Sequence, residues 1–358
     1  YHRPPYSVIS PEDFEPFHEL MKSVAPAVAE ARKLASMPHG RLQIAWSDNS
    51  LTGNWDDVQK AREFIALLQS AAAWHAQLGD FDAAMEDCLA MQRVCQALAD
   101  EPTIITHLVR IAMQAISMQA LERVLAQGQP TPRQLEQLQR AWEQFDLQRG
   151  MMNGLRGERA YTHRSFESLA GGKVFIQAVN AAPKGASTSI SERLQGLFMF
   201  ANPKQAHAWT LRHLTAMVKS MELPDAERAA RLRELETESA QAPGIARLIM
   251  PSVQKVLEAH RRTETQIRCA IAGLAAERFR REHGRWPKSL AELCPKFLDR
   301  TPDDPYAGQP LQFRPTDDGI VIYSVGPDGK QTGMNQENLA AKRPGSISYE
   351  FRLWNVDR

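Results

Sequence analysis

Apolar side chains recur at helical spacing through Val253, Val256, Leu257, Ile267, Ala270, Ile271, Leu274 and Phe279, and then the pattern stops. Gly284 and Pro287 close it, and Pro295, Pro302, Pro305, Pro310, Pro315 and Pro327 follow at short intervals. Proline fixes φ and has no amide proton to donate, so no helix continues through that stretch. A long amphipathic helix must therefore end near 283, and the rest must be made of short extended pieces and turns. Leu311 to Arg314 and Gly319 to Tyr323 are strand candidates, joined by a four-residue turn over Pro315-Thr316-Asp317-Asp318. Ser348 to Leu353 alternates and supplies a third strand. Three strands cannot bury a face unaided, so the sheet is expected to be antiparallel and to pack on the long helix.

Upstream, the pattern is helical almost throughout. Ser10-Pro11-Glu12-Asp13 places a capping residue before a proline at the first helical position and opens a helix expected over 11–36. Residues 37–54 read as a long loop with an isolated strand candidate over Leu42 to Trp46. Helices are then expected over 55–78 and from Asp82 to about Leu98, separated by Gly79-Asp80. This pair resembles one tetratricopeptide-type unit. No recurrence near the period of about 34 residues flanks it, so a plain antiparallel helical hairpin is the expectation. The next helix, 102–126, is apolar around nearly its whole circumference and should be central, with His107 as a core histidine. Thr131-Pro132-Arg133-Gln134 is a capping box opening a helix to about Leu147. Further helices are expected over 151–169, 191–198, 203–221, 224–240 and 243–283, with a long loop over 170–191. The whole reads as mainly α: an all-helical region over 1–250, then an α+β region over 251–358 made of the long helix and the small sheet.

The chain has 358 residues with 43 Lys+Arg against 42 Asp+Glu, a length that suits about two domains at roughly 150 residues each. This balance gives no electrostatic argument for a nucleic-acid surface, so no nucleic-acid partner is expected. No stretch of the sequence is expected to cross a membrane as a helix. The sequence begins at Tyr1 rather than Met, so an upstream signal or anchor is expected to have been removed. Cys88 and Cys95 are seven apart on one helix, about 10 Å along its axis, which is too far for a disulfide and suits small core residues. Cys269 and Cys294 flank a helix end and could approach through its turn. Unpaired thiols are the preferred reading there too, and the pairing stays open.

The tail carries an ordered series: Arg281-Glu282-His283-Gly284-Arg285-Trp286-Pro287, then Asp304-Pro305-Tyr306-Ala307-Gly308-Gln309-Pro310, then Tyr323-Ser324-Val325-Gly326-Pro327-Asp328-Gly329. From about Glu264 to Leu353 it resembles the globular part of the major (G-type) pseudopilin of type II secretion. The whole chain also resembles a group of planctomycete proteins in which a membrane anchor precedes an alanine/leucine-rich helical region and a pseudopilin-like tail. Asp80-Phe81-Asp82-Ala83-Ala84 and Leu98-Ala99-Asp100-Glu101-Pro102 carry that second likeness. The group has no established activity, so the resemblance implies an architecture and an N-terminal anchor rather than a mechanism. It also implies a cell-envelope location on the periplasmic or extracytoplasmic side. Unlike a filament-forming pseudopilin, this chain has some 250 residues before the equivalent helix, and that helix carries His260, Arg261, Arg262 and Glu264. Filament assembly in the usual way is not expected.

G-type pseudopilins bind calcium in the loop that follows the Tyr-Ser-x-Gly strand. The corresponding oxygen donors here are Ser324, Asp328, Asn335, Glu337 and Asn338, with two carboxylates among them. Calcium takes six to eight oxygens and gains from charge, so any site built from this set is weak. No other cofactor is expected.

No tight metal-ligand spacing, nucleophile elbow, phosphate-binding loop or dinucleotide fingerprint occurs in the sequence. Two acid–imidazole pairs lie one helical turn apart, His163 with Glu167 and His260 with Glu264, and ordinary ion pairing accounts for both. Arg156, Glu158, Arg159, Tyr161 and His163 form a polar cluster on a helix that otherwise sits among apolar ones, and an internal salt-bridge network is the preferred reading. If the chain is a hydrolase-like helical enzyme, Glu158, His163 and Glu167 are its acid–base candidates. The preferred expectation is a membrane-tethered envelope scaffold with protein partners, more consistent with a non-enzyme. A calcium-dependent assembly module is a third reading.

Overall fold

The computed structural model describes residues 4–37, 56–170, 202–244, 246–327 and 349–355. It is mostly helical, with one small antiparallel sheet at the C-terminal end. Helix α1 spans Pro11–Lys33 and runs into a 3-10 turn, Leu34–Ser36; α2 is Asp56–Gln77, α3 Phe81–Ala97 and α4 Ile104–Gln127. Then come α5 (Pro132–Glu143), α6 (Leu147–Ala170), α7 (Pro203–Ser220), α8 (Asp225–Ser239) and α9 (Ala246–His283). The strands are β1 (Gln312–Thr316), β2 (Gly319–Tyr323) and β3 (Glu350–Trp354). The strand expected over Leu42 to Trp46, the loop beyond Ala170 and the helix over 191–198 lie outside the described residues.

Local chemistry sets the helix ends. Ser10, Asp80, Thr103, Thr131 and Asn202 each accept an amide proton from the first turn of the following helix. At Thr131 the capping box is complete, with Gln134 reaching back to the Thr131 amide at 2.9 Å. Gly284, at φ 69°, ends α9 in the left-handed region. The start of α6 differs from the sequence expectation, as does that of α4, which opens behind its Thr103 cap two residues later than expected. Helix α5 stops at Glu143, and Asp146 accepts from the Arg149 amide at 2.7 Å, so α6 starts at Leu147 rather than near Met151.

The sheet order is β1-β2-β3, antiparallel throughout. The β1–β2 register pairs Thr316 with Gly319, so the connection is the two-residue turn Asp317-Asp318, shorter than the four residues expected. Pro315 lies inside β1, an edge strand, where its missing donor costs no ladder bond. The other edge, β3, is shielded by α4: the Arg352 amide donates to Glu122 Oε1 at 3.1 Å. The sheet packs on α9, where Gly273 leaves room for the Phe351 ring.

Two apolar cores result. The larger joins α1–α5, the C-terminal half of α9 from Ile267 and the inward face of the sheet, including Ile320, Ile322, Phe351 and Leu353. The smaller joins α6, α7, α8 and the N-terminal part of α9 (Ala246 to Val256), with Ile104 from α4. The sheet thus shares its core with helices at the opposite end of the sequence. Helix α4 is buried on most sides, as its apolar circumference requires. It is also long and apolar enough to cross a membrane, against the expectation that nothing in the chain would be; 67% of its most apolar stretch is covered by the rest of the fold. All four cysteines are free thiols, three buried and Cys294 half-buried.

Candidate functional site

The sequence candidates separate in space. On α6, His163 Nδ1 lies 3.0 Å from His207 Nε2 on α7, and His163 Nε2 lies 3.4 Å from Glu167 Oε1. The Phe166 ring stacks on His207 at 4.9 Å and 9°. Burial first, then His163, draws His207 below the ordinary imidazole range, with Glu167 opposing. His163 and Glu167 are both exposed. Glu158 takes no part in this group. Five positions before His163, it sits about 140° further round the helix. Its half-buried carboxyl is raised above the usual range by burial. Arg159, its neighbour, donates to Thr215 Oγ1 at 3.2 Å.

Of the calcium candidates, Asp328, Asn335, Glu337 and Asn338 lie outside the described residues. Ser324 is committed to structure. Its hydroxyl donates to Asp304 Oδ1 at 2.8 Å and accepts the Gly326 amide at 2.9 Å, while Asp304 Oδ2 takes the Val325 amide at 3.0 Å. This closes the strand end onto the Asp304-Pro305-Tyr306 turn. Among the described residues no three His, Cys, Asp or Glu side chains gather as metal ligands.

Two buried polar constellations were not anticipated as sites. In the first, Asp87 on α3 is fully buried and holds Arg32 Nε of α1 at 2.7 Å and His75 Nδ1 of α2 at 2.8 Å. A carboxylate taken out of water needs such partners, and here it ties three helices at one point. Next to it, Trp74 donates its indole proton to His18 Nδ1 at 2.8 Å.

The second lies between the two cores. His107 Nε2 on α4 stands 3.2 Å from His260 Nδ1 on α9, and His260 Nε2 stands 3.3 Å from Gln148 Oε1 on α6. Both imidazoles are buried. Arg110, one turn beyond His107, is buried with no carboxylate in ion-pair contact among the described residues. Its Nε donates to the Cys95 carbonyl at 2.9 Å, one terminal nitrogen donates to the Asp146 carbonyl at 3.2 Å, and its guanidinium lies 4.9 Å from the Phe145 ring centre. Burial lowers Arg110 to about 10. His260 does not turn to Glu264, its neighbour on the helix. Glu264 instead pairs with Arg228 at 3.0 Å and Arg268 at 2.6 Å.

A glycine series makes the second constellation close. Gly150, Gly154 and Gly157 recur on one face of α6, which they lay against the start of α4. A Cβ at Gly150 would overlap Arg110 and approach His107 Nδ1 to 3.0 Å; one at Gly157 would overlap the Pro102 carbonyl. That spacing, with His107 and Arg110 three apart in an apolar helix, was the available sequence signal.

A surface groove of about 250 Å³ between α3 and α5, lined by Arg93, Gln137, Arg140 and Gln144 over Leu89 and Ala141, is lined by none of these groups. Comparison with protein-family models, curated proteins and solved structures finds no match to this chain.

Proposed function

We propose that this chain is a non-enzymatic scaffold of the cell envelope, tethered to the membrane by a preceding anchor, whose helical body receives a protein partner and whose tail is pseudopilin-like. The observation that carries the reading is on α4. Ile105 and Leu108, one turn apart on the most apolar of the described helices, are exposed while the residues between them and on either side of them are buried. Two adjacent aliphatic side chains left in water gain free energy when a partner covers them, which supports a place for association here. The order of the tail supports the second half: long helix, 3-10 turn Leu290–Leu293, the Asp303–Pro310 bridge, then a β1-β2-β3 antiparallel sheet. The test is a photo-crosslinking residue placed at Ile105, at Leu108 and, as control, at exposed Arg133, in cells expressing the full-length gene. One discrete adduct at 105 and 108 in the membrane fraction, absent at 133, is the expected result. No adduct at either position overturns the reading, as does turnover of any substrate by the purified chain.

One observation favours a second reading, a hydrolase-like enzyme: the half-buried Glu158 carboxyl is biased toward its protonated form, as a general acid requires, on the helix that bears His163. Ester, phosphate and glycoside substrates tested against wild type and Glu158→Gln decide it. Turnover that the substitution removes is the outcome this second reading requires.

A further inference from the structure

The line between the two cores crosses three helices at polar residues. On α4, Ile104 belongs to the smaller core and Val109 to the larger, with His107 between them; on α9, Val256 and Ile267 flank His260; on α6, Leu147 and Met151 flank Gln148. The side chains that meet on the seam are the ones that hydrogen-bond in series, His107 to His260 to Gln148. We propose that the His107–His260 pair is a proton-operated latch on this seam, closed while both imidazoles are neutral and released when either takes up a proton, so that α6, α7 and α8 part from the larger core.

The hydrogen-bond network fixes the protons. Gln148 Nε2 donates to the Met221 carbonyl at the end of α7, which leaves Oε1 as the acceptor facing His260. His260 must then carry its proton on Nε2, its Nδ1 is a lone pair, and His107 donates to it from Nε2. An added proton has two places to go, and each is hostile. On His260 Nδ1 it would set two N–H groups against each other across 3.2 Å. On His107 Nδ1, which has no hydrogen-bond partner among the described residues, it would place a second cation beside an Arg110 terminal nitrogen that also lacks one among them, both against Gly150. The charged surroundings lean the same way. Arg110 on α4 and Arg228 on α8 oppose a positive imidazole; among the described residues Glu264 on α9 favours it, and two arginines already hold it. Burial, the largest influence, holds His260 down to about 4 and His107 well below the ordinary range. Opening must also break the packing of Ile104 in the smaller core, the close α4–α6 approach at Gly154 and Gly157, and the Arg149–Asp100 ion pair at 2.6 Å, so the protonated pair acts against these contacts.

The test is energy transfer between dyes on Arg133→Cys in α5 and Arg233→Cys in α8, both exposed, in the full chain with Cys294→Ser to silence the half-buried native thiol. From about pH 6.5 down to about pH 4.5 the open fraction is expected to grow, its equilibrium constant rising about tenfold per pH unit for each proton taken up, with no change between about pH 7.5 and about pH 6.5. In the double variant His107→Gln, His260→Asn, which keeps a donor and an acceptor facing each other, the transition should vanish or fall by about one pH unit or more. Constant transfer in wild type across the range overturns the latch, and so does an unshifted transition in a folded double variant. Should the variant not fold, imidazole resonances of the wild-type chain decide. His107 and His260 titrating together with the distance change support the latch; titration at the ordinary imidazole value, apart from the distance change, overturns it.

Discussion

The ring of Phe351 on β3 rests directly on the Cα of Gly273, midway along the C-terminal half of α9. Glycine weakens a helix by roughly 0.5–1 kcal/mol relative to alanine, so its presence in the middle of a long helix calls for a reason. Here the reason is the sheet: a methyl group at 273 would occupy the space of the ring that anchors β3. Gly273→Ala should therefore destabilise the fold by about 1–3 kcal/mol despite its better helix propensity. Urea unfolding with Phe351→Leu beside it checks the cause, because a smaller flexible side chain at 351 should recover part of the loss.

The α6 glycines give a graded comparison within one helix. A Cβ at Gly154 would meet the Thr103 carbonyl at 3.3 Å, which a small shift relieves, whereas at Gly157 it would overlap the Pro102 carbonyl, a backbone atom with nowhere to go. Gly154→Ala is expected to change stability by no more than about 1 kcal/mol, the helix gain offsetting the squeeze. Gly157→Ala should lose about 1–3 kcal/mol. Equal melting temperatures for the two variants would contradict the close α4–α6 crossing.

These glycines also mark where the sequence could and could not be read. Helix positions followed from caps and periodicity because those signals are local: Ser10, Asp80 and the Thr131 box act within one turn. The small sheet was legible from proline spacing and alternation for the same reason. The pairing of His107 with His260 joins residues 153 apart in the chain, and nothing local announces it. The sharing of one core by α1–α5 and the C-terminal sheet is equally non-local, whereas the division at 250 follows the start of the long helix. Asp146 was missed because Leu147 continues the apolar pattern of α5, and the cap shows only once the chain turns.

Asp87 should be among the most costly polar side chains to remove. With both oxygens engaged by Arg32 and His75 and no access to water, its loss strands two partners on neighbouring helices. Arg32 retains some solvent contact, which lowers the cost of Asp87→Ala to about 2–3 kcal/mol. In a double-mutant cycle with Arg32→Ala the pair should cost clearly less than the sum of the single changes. Strict additivity in equilibrium unfolding would show that the contact contributes nothing.

Thiol chemistry should separate the four cysteines. Burial pushes the thiols of Cys88 and Cys269 far up and that of Cys95 to about 12, so all three stay protonated and shielded at neutral pH. Only Cys294 is partly open to solvent. A maleimide at neutral pH should modify one site per folded chain, identified as Cys294 by peptide mass, and four in denaturant. Rapid labelling of Cys88 or Cys95 in the folded state would contradict the α3 packing.

Glu158 and the seam histidines should act on stability at different ends of the pH scale. An acid whose folded pKa is raised favours folding while protonated and loses that contribution as pH rises through the shifted value. Glu158→Gln, which keeps the shape without the charge, should therefore stabilise the chain at neutral pH. The gain should shrink toward zero as acid protonates the wild-type carboxyl. For His260 the direction is opposite. Its folded pKa, lowered to about 4, lies below the unfolded value near 6.5, so the unfolded chain binds the proton first. Its contribution is whole above about pH 6.5 and is lost as pH falls toward 4, by about 3 kcal/mol at most if the surroundings do not relax. Unfolding free energies of wild type, Glu158→Gln and His260→Asn at several pH values separate the two. The first variant should differ from wild type most at high pH. The second should remove part of the acid-side loss, and if it steepens that loss instead, the neutral histidine pair is misassigned.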